Sequence, residues 1–227
     1  MRDEAVNYAR MGIPTIPLWG VTESGACSCR RGVNCTSPAK HPRFPEWQKV
    51  SANPFVADGY FSFFDRTQTP ANLGLRLIAC GLAVIDVDSA EGAELLEDLV
   101  DQDTLRAMPA ARTGRGMHYY VRTSRRPGSI GPGLEIKSEN VVAPPSRIAG
   151  GGVREWLPGR ELVDMNAVPP LPRSLTSRMT ASEGSARTTS AGEPRGLSII
   201  SNETVARMLL DRGVSEELVN KHLLGAS

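Results

Sequence analysis

An apolar run that begins at residue 82 ends in two aspartates, Asp86 and Asp88, separated by one valine. Successive side chains of a β-strand point to opposite faces, so both carboxylates are expected on one face. Carboxylates this close repel each other, and a divalent cation is the usual means of keeping both ionised in a partly buried site. The pair therefore indicates a metal site. The alternative is that the acids only mark the start of the next helix, with Asp88 or Ser89 as its N-cap.

A histidine, His118, follows a turn with two glycines in the sequence TGRGMHY of residues 113–119. The strand period predicts that His118 and Tyr120 share one face. The glycines would allow the turn to approach a ligand closely, and Arg115 could present its guanidinium to phosphate oxygens. The alternative is that His118 is a structural residue of the strand.

A third carboxylate and a cation, Glu135 and Lys137, lie two residues apart in the sequence LEIK of residues 134–137. Alone, they could be a solvated strand edge. Together with the two aspartates and His118, they form the residue set that nucleotidyl transfer requires, because carboxylates bind two divalent metals and basic groups bind a triphosphate.

Downstream, the sequence VVAPPS of residues 141–146 runs an apolar strand into two prolines. Proline cannot extend a β-ladder, so this segment could be a rigid strand terminus. The alternative is that it holds the Ser146 hydroxyl at a fixed place near the phosphates.

Three of the four cysteines form the pattern C-x-C-x5-C-x5-H with a histidine, through Cys27, Cys29, Cys35 and His41 in the loop of residues 25–43. Three thiolates and one imidazole suit tetrahedral zinc, and zinc can fix a loop that has no apolar core of its own. The alternative is that His41, next to Lys40, faces the nucleotide site and that the cysteines are reduced bystanders.

Length and composition indicate one folded domain with an appendage. A chain of 227 residues accommodates a domain of roughly 150 to 200 residues. Its 40% hydrophobic and 22% charged residues are typical of a globular protein, and a net charge of +1 neither requires nor excludes nucleic acid. The acidic start and the lack of a long apolar run predict a cytoplasmic protein with no membrane partner.

Hydrophobic periodicity predicts a mixed α/β or α+β fold with short strands. Helices are expected at residues 4–11, 54–65 and 91–100, and strands at 15–18, 72–77, 82–87, 111–113, 117–122, 134–137 and 141–143. A shift toward Ser, Thr, Gly and Pro predicts a catalytic domain at 1–168 and a flexible linker at 169–200. Helical patterns at 203–212 and 215–224 predict a short helical appendage at 201–227.

The ordered series of motifs resembles the bifunctional DNA primase/polymerase (prim-pol) domain of the archaeo-eukaryotic primase superfamily. The series consists of ANLGL at 71–75, VIDVD at 84–88, TGRGMHY at 113–119, LEIK at 134–137 and VVAPPS at 141–146. Upstream, ARMGIPTIPL at 9–18 and AKHP at 39–42 also resemble the opening of that domain. The similarity covers residues 4–160, and the ordered set is far more specific than any single motif.

This resemblance implies a catalytic sheet of the RNA-recognition-motif type, packed by helices. It implies a DNA primase and DNA-directed DNA polymerase that uses Mg2+ or Mn2+, a single-stranded DNA template, a primer, and dNTP or NTP. Asp86 and Asp88 would be the first two metal ligands, and Glu135 the third acid, where the family more often has Asp. His118 would contact the incoming triphosphate, with Arg115, Lys137, Ser146 and Lys40 as further nucleotide-binding residues.

Two other functions remain open on the sequence. The chain could be a catalytically weak module that binds single-stranded nucleic acid, or a metal-dependent nuclease that uses the same acids. Prim-pol domains often precede a helicase in the replication proteins of phages, plasmids or integrated elements, so a helicase domain or protein is a possible partner. This chain has no G-x-x-x-x-G-K-S/T motif, so helicase activity of its own is not expected.

Overall fold

The computed structural model of the chain describes residues 1–125, 127–181, 206–207, 210–211 and 215–220. Helices and strands are mixed, and the strand pairs within both sheets are antiparallel, which confirms the predicted α+β class. The helices are α1 (Arg2–Arg10), α2 (Pro54–Arg66), α3 (Ala90–Leu99), α4 (Gln102–Ala107), α5 (Arg173–Thr176) and α6 (Glu216–Val219).

The strands form two sheets. The small sheet has the order β1 (Thr15–Trp19), β2 (Ala71–Arg76) and β8 (Asn140–Val142). The large sheet has the order β10-β6-β7-β3-β5-β4-β9. Its strands are β3 (Leu82–Val87), β4 (Ala110–Arg112), β5 (Met117–Arg122), β6 (Gly128–Gly131), β7 (Leu134–Lys137), β9 (Glu155–Trp156) and β10 (Thr180–Ala181).

The central strand β3 is buried along its whole length, and its alternate side chains supply two different cores. Leu82 and Val84 pack in a core with residues of α1 and α2, whereas Ala83, Ile85 and Val87 pack in a second core with residues of α3 and α4. A strand covered on both faces is apolar throughout, so a charged residue at position 86 must be stabilised by specific partners.

Most predicted elements form within one or two residues of their expected bounds. Helix α4 is an exception that the sequence analysis missed, because six residues are too few for a periodic signal. Its N-cap is Asp101, whose Oδ1 accepts from the backbone N–H of Thr104 at 2.8 Å. The predicted pattern at 91–100 corresponds to α3 alone.

The first part of the expected linker is packed rather than flexible. Leu171 and Leu175 are buried in the core that contains Ile85, and α5 and β10 lie in this stretch. Leu175 packs from the single turn of α5, whereas Leu171 lies before that helix and its N–H donates to the Arg122 carbonyl oxygen. The overall composition of the segment conceals both contacts. Residues 182–200 of that linker lie outside the described residues.

The two helical patterns expected at the end of the chain are described only in part. Residues 206–207, 210–211 and 215–220 are described, and α6 falls within the second pattern; the rest of both predictions lies outside the described residues. Ala206 and Val219 are buried in the same core as α1 and α2. In the described parts of the chain, no helix is long and apolar enough to cross a membrane.

Candidate active site

The register of the large sheet brings the three predicted acids together. Strand β3 pairs with β5 on one side and with β7 on the other, so Asp86 lies opposite His118 and also opposite Glu135. Asp88 follows at the end of the strand, and the carboxylate oxygens of Asp86, Asp88 and Glu135 lie within 4.8 Å of one another. Hard carboxylate oxygens in this number suit Mg2+ or Mn2+, and Asp88 and Glu135 are only partly buried, so a substrate oxygen could join them.

Asp86 is almost fully buried, and two basic side chains stabilise its charge. His118 Nε2 lies 3.1 Å from Oδ1, and the Lys137 ammonium contacts Oδ2 and also Glu135 Oε1, the latter at 2.7 Å. Burial alone would raise the pKa of Asp86, but His118 and Lys137 outweigh it and hold the pKa well below its usual range. Asp86 is therefore ionised at neutral pH, as a metal ligand must be.

His118 itself is buried, and this burial lowers the pKa of its imidazole despite the neighbouring Asp86. Nε2 of the neutral imidazole lies 3.1 Å from Oδ1 of Asp86, and this contact limits the orientations that the carboxylate can adopt. The structure thus brings His118 to the predicted site, where its Nε2 faces the Asp86 carboxylate.

Asp88 belongs to the pocket, while the helix cap is supplied by its neighbour. The Ser89 hydroxyl accepts from the backbone N–H of Gly92 at 3.1 Å and is the N-cap of α3. Asp88 instead pairs with Arg115 at 3.2 Å. The helix cap therefore belongs to Ser89, and the Asp88 carboxylate lies in the pocket with Asp86.

The glycine-containing turn before His118 packs against the protein's own backbone. A Cβ at Gly116 would lie 1.9 Å from the carbonyl oxygen of Val87, and a Cβ at Gly114 would lie 3.2 Å from the Ile148 side chain. The close approach that the glycines allow is therefore the contact of this turn with the end of β3, and it fixes the position of Arg115 beside Asp88.

Six of the predicted site residues line one pocket of about 530 Å³, whereas Glu135, although close to Asp86 and Asp88, does not line it. It is lined by Asp86, Asp88, His118, Arg115, Lys137 and Lys40 among the predicted residues, by Thr36, Ser37 and Pro38 of the Cys/His loop, and by Arg154. Desolvation, followed by the nearby charge of Arg154, lowers the pKa of Lys40. The pocket therefore holds more basic than acidic side chains, which suits a polyanionic ligand.

Arg154 is a pocket residue that the sequence analysis missed. Its residue is 7% exposed, and its Nη1 has no hydrogen-bond partner among the described residues. Burial lowers its pKa, although Tyr120, Asp86 and Asp88 act in the opposite direction. The chain has 26 lysines and arginines, and nothing in the sequence distinguishes Arg154 from the others. Arg154 lies in a loop, where side-chain direction cannot be predicted from strand alternation.

Ser146 does not reach the pocket, which corrects its predicted role near the phosphates. Its side chain is fully buried, and its Oγ accepts from the Leu73 backbone N–H at 2.9 Å. The same hydroxyl lies 3.3 Å from the Leu73 carbonyl oxygen. The double proline therefore directs Ser146 inward, where it joins the chain after β8 to β2.

The Cys/His loop forms a second candidate metal centre. One ligand atom from each of Cys27, Cys29, Cys35 and His41 lies within 4.8 Å of the others, and His41 Nε2 is 3.6 Å from Cys27 Sγ and 3.4 Å from Cys35 Sγ. His41 thus lies with the cysteines, and Lys40 next to it lines the pocket. Three sulfurs and one nitrogen are the donor set of structural zinc sites.

The pKa values of Cys35 and Cys29 move in opposite directions, so without a cation these neighbouring thiols do not ionise together. Burial, with the neighbouring thiols, raises the pKa of Cys35 to about 12. Burial also opposes ionisation of Cys29, but the Arg31 backbone and the other thiols lower its pKa overall. Burial lowers the pKa of His41, so its imidazole is neutral and able to act as a ligand. Three adjacent thiolates need a cation to coexist, and zinc would supply it by displacing their protons.

Comparison with known families finds one matching family model, described as bifunctional DNA primase/polymerase, N-terminal, which covers residues 5–174. This range includes both candidate metal centres and Arg154, and it extends past the predicted domain end at residue 168. No curated protein matches the chain significantly. The family match carries no indication of a helicase partner.

Proposed function

Because the chain belongs to the bifunctional DNA primase/polymerase family, we propose that it synthesises primers and extends DNA on a single-stranded template by a two-metal mechanism. The family supports nucleotidyl transfer with DNA and nucleotide substrates at a general level. The finer assignment concerns the residues, the metals and the order of events in the pocket. Replication of a phage, plasmid or other mobile element is the setting we expect.

One observation carries this proposal. Three carboxylates converge within 4.8 Å of one another, and two of them, Asp86 and Asp88, line a pocket whose other charged residues are basic. Metal-dependent nucleotidyl transfer needs this combination, because the acids bind divalent cations and the bases bind phosphate oxygens. A surface cluster of acids alone would not include a buried carboxylate with two basic partners.

The acids would hold Mg2+ or Mn2+. The metal would lower the pKa of the primer 3'-hydroxyl and would neutralise charge on the triphosphate and on the departing pyrophosphate. Asp86, Asp88 and Glu135 are the proposed ligands. His118 orients Asp86 through its Nε2, which keeps one carboxylate oxygen in a fixed direction. This 3.1 Å contact supports a role through Asp86 in addition to the predicted contact with the triphosphate.

Four basic side chains are proposed to bind the triphosphate. Lys137 and Arg115 lie beside the carboxylates and can bridge between acids and phosphate oxygens. Lys40 and Arg154 line the same pocket, and neither forms an ion pair with another described residue. Their charges are therefore available to a bound nucleotide.

Primer extension on a single-stranded template, with dNTPs or NTPs and either Mg2+ or Mn2+, tests the proposal. We expect pyrophosphate release and template-dependent elongation, both lost in Asp86→Asn and Asp88→Asn variants. Elongation by either variant at the wild-type rate would reject the metal-ligand assignment. Shortening of the template without pyrophosphate release would indicate a nuclease, and binding without either reaction would indicate a catalytically weak binding module.

We also propose that the Cys/His loop binds one structural zinc ion. Elemental analysis of the purified protein should find one zinc per chain, and substitution of Cys27 by serine should abolish it. A folded wild-type protein with no zinc would reject this part of the proposal.

A further inference from the structure

The loop that joins two of the proposed zinc ligands is also a wall of the nucleotide pocket. Only five residues separate Cys35 from His41. Four of them, Thr36, Ser37, Pro38 and Lys40, line the pocket that contains Asp86 and Asp88. The Cys/His group thus lies directly behind this wall, and a tether at each end limits the positions that the segment can adopt.

Ala39 is the residue of this segment that faces away from the pocket, and it is held from several sides. It is buried, with a backbone φ of 59°, a conformation disfavoured for alanine. Its N–H donates to Cys27 Sγ at 3.4 Å, and its carbonyl oxygen accepts from Asn72 Nδ2 at 3.0 Å. One proposed zinc ligand is therefore itself the acceptor that stabilises this backbone conformation.

The residues on either side of Ala39 diverge in direction. The carbonyl oxygen of His41 accepts from the Trp19 backbone N–H at 3.0 Å, so the segment is joined to β1, while the imidazole lies with the cysteines. Lys40 lines the pocket instead. The direction of Lys40 is thus set by its two neighbours rather than by an ion pair of its own. Hydrogen bonds hold Ala39, and both a hydrogen bond and the contact with the cysteines hold His41.

We propose that metal coordination by Cys27, Cys29, Cys35 and His41 positions Lys40 to bind the triphosphate, so that the Cys/His group determines nucleotide affinity. The inference rests on the proposed function. The four ligands are positioning residues, since they act on the nucleotide through Lys40. Loss of the metal would release the side chains of Cys35 and His41 and would leave the Ala39 backbone held by Asn72 alone if Cys27 moved away. Lys40 would then sample more positions, including positions outside the pocket.

Energetic coupling between the two sites tests this proposal without measuring catalysis. Binding of dATP, in saturating Mg2+, is measured by calorimetry on the full chain with and without zinc, and zinc affinity is measured by chelator competition with and without dATP. Because coupling is reciprocal, zinc should tighten dATP binding and dATP should tighten zinc binding by the same factor. We expect about tenfold, which corresponds to about 1.4 kcal/mol.

A Lys40→Met variant separates positioning from a general effect of zinc on the fold. It should bind dATP about tenfold more weakly, and its dATP affinity should no longer respond to zinc. Cys35→Ser should weaken dATP binding to a similar extent, with no additional loss in the double variant. Cys80→Ser is the matched control, because Cys80 is also a partly buried thiol and bonds to the Leu77 carbonyl oxygen away from the loop.

Two results would overturn the inference while leaving the proposed function intact. One is a wild-type protein that binds dATP with the same affinity whether or not zinc is bound. The other is a Lys40→Met variant that retains the full coupling between zinc and dATP. If the wild-type chain bound no dATP under any condition, the proposed function itself would fail instead.

Discussion

Replacing Arg154 with methionine should weaken nucleotide binding without destabilising the fold. The Arg154 guanidinium is buried, and its Nη1 has no partner among the described residues. A buried polar group without a partner costs about 1–3 kcal/mol, and removing it with an apolar side chain of similar length relieves that cost. In a chain of 227 residues, each 1 kcal/mol changes Tm by about 2–4 °C. Tm should therefore stay constant or rise by a few degrees.

The effect on binding has the opposite sign. A hydrogen bond to a charged group contributes about 1.5–3 kcal/mol, which corresponds to roughly 10- to 150-fold in Kd. We expect a loss of this size for dATP, and a much smaller loss for dAMP, which lacks the two terminal phosphates. Calorimetric titration and thermal unfolding of the same preparations measure both quantities.

Two other arginines provide controls for this experiment. Arg147 is exposed and lines a different pocket, so Arg147→Met removes the same charge and should leave dATP binding unchanged. Arg160 donates to the carbonyl oxygens of Leu105 and Met108, so Arg160→Met should lower Tm by leaving those acceptors unpaired. A large fall in Tm for Arg154→Met, with unchanged dATP affinity, would refute the reasoning and make Arg154 a structural residue.

The remaining predictions concern the acids, the turn and the buried serine. Asp86→Asn or Asp88→Asn should reduce primer extension at least ~10³-fold, because metal-ion catalysis supplies several kcal/mol; a smaller loss would argue against metal ligation. Gly116→Ala should displace the end of β3, since its Cβ would overlap the Val87 carbonyl oxygen; we expect reduced activity at unchanged zinc content, and wild-type kinetics would contradict this. Ser146→Ala should lower stability by about 1–2 kcal/mol through its lost buried hydrogen bond, measured by denaturant unfolding, while KM for dNTP stays constant; a raised KM would restore its predicted place at the phosphates.

Local pattern was sufficient for the strands that carry the acids. Strand β3 forms at the predicted residues because its apolar run is long and ends in charged residues. The spacing of Cys27, Cys29, Cys35 and His41 likewise predicted a group that the structure brings within 4.8 Å. Ligand spacing in a short loop restricts the reachable geometries so strongly that little tertiary information is needed.

Other features could not be read from the sequence. Loops and strand ends lack the regular side-chain alternation from which the direction of a side chain is predicted. The burial of Ser146 and the approach of Arg154 to the pocket therefore depend on how distant segments pack. The limit of the linker was misjudged for a related reason, because average composition does not register two docked leucines.

The sequence by itself determined which residue types are available for chemistry: three acids, a histidine, several cations and a cysteine-histidine loop. Tertiary structure decided their roles. The register of β3 against β5 and β7 sets Asp86 beside both His118 and Glu135, and the packing of the Cys/His loop turns Lys40 toward the same pocket. The physical reason is that side-chain alternation is local, whereas register and loop docking depend on contacts between segments far apart in the chain.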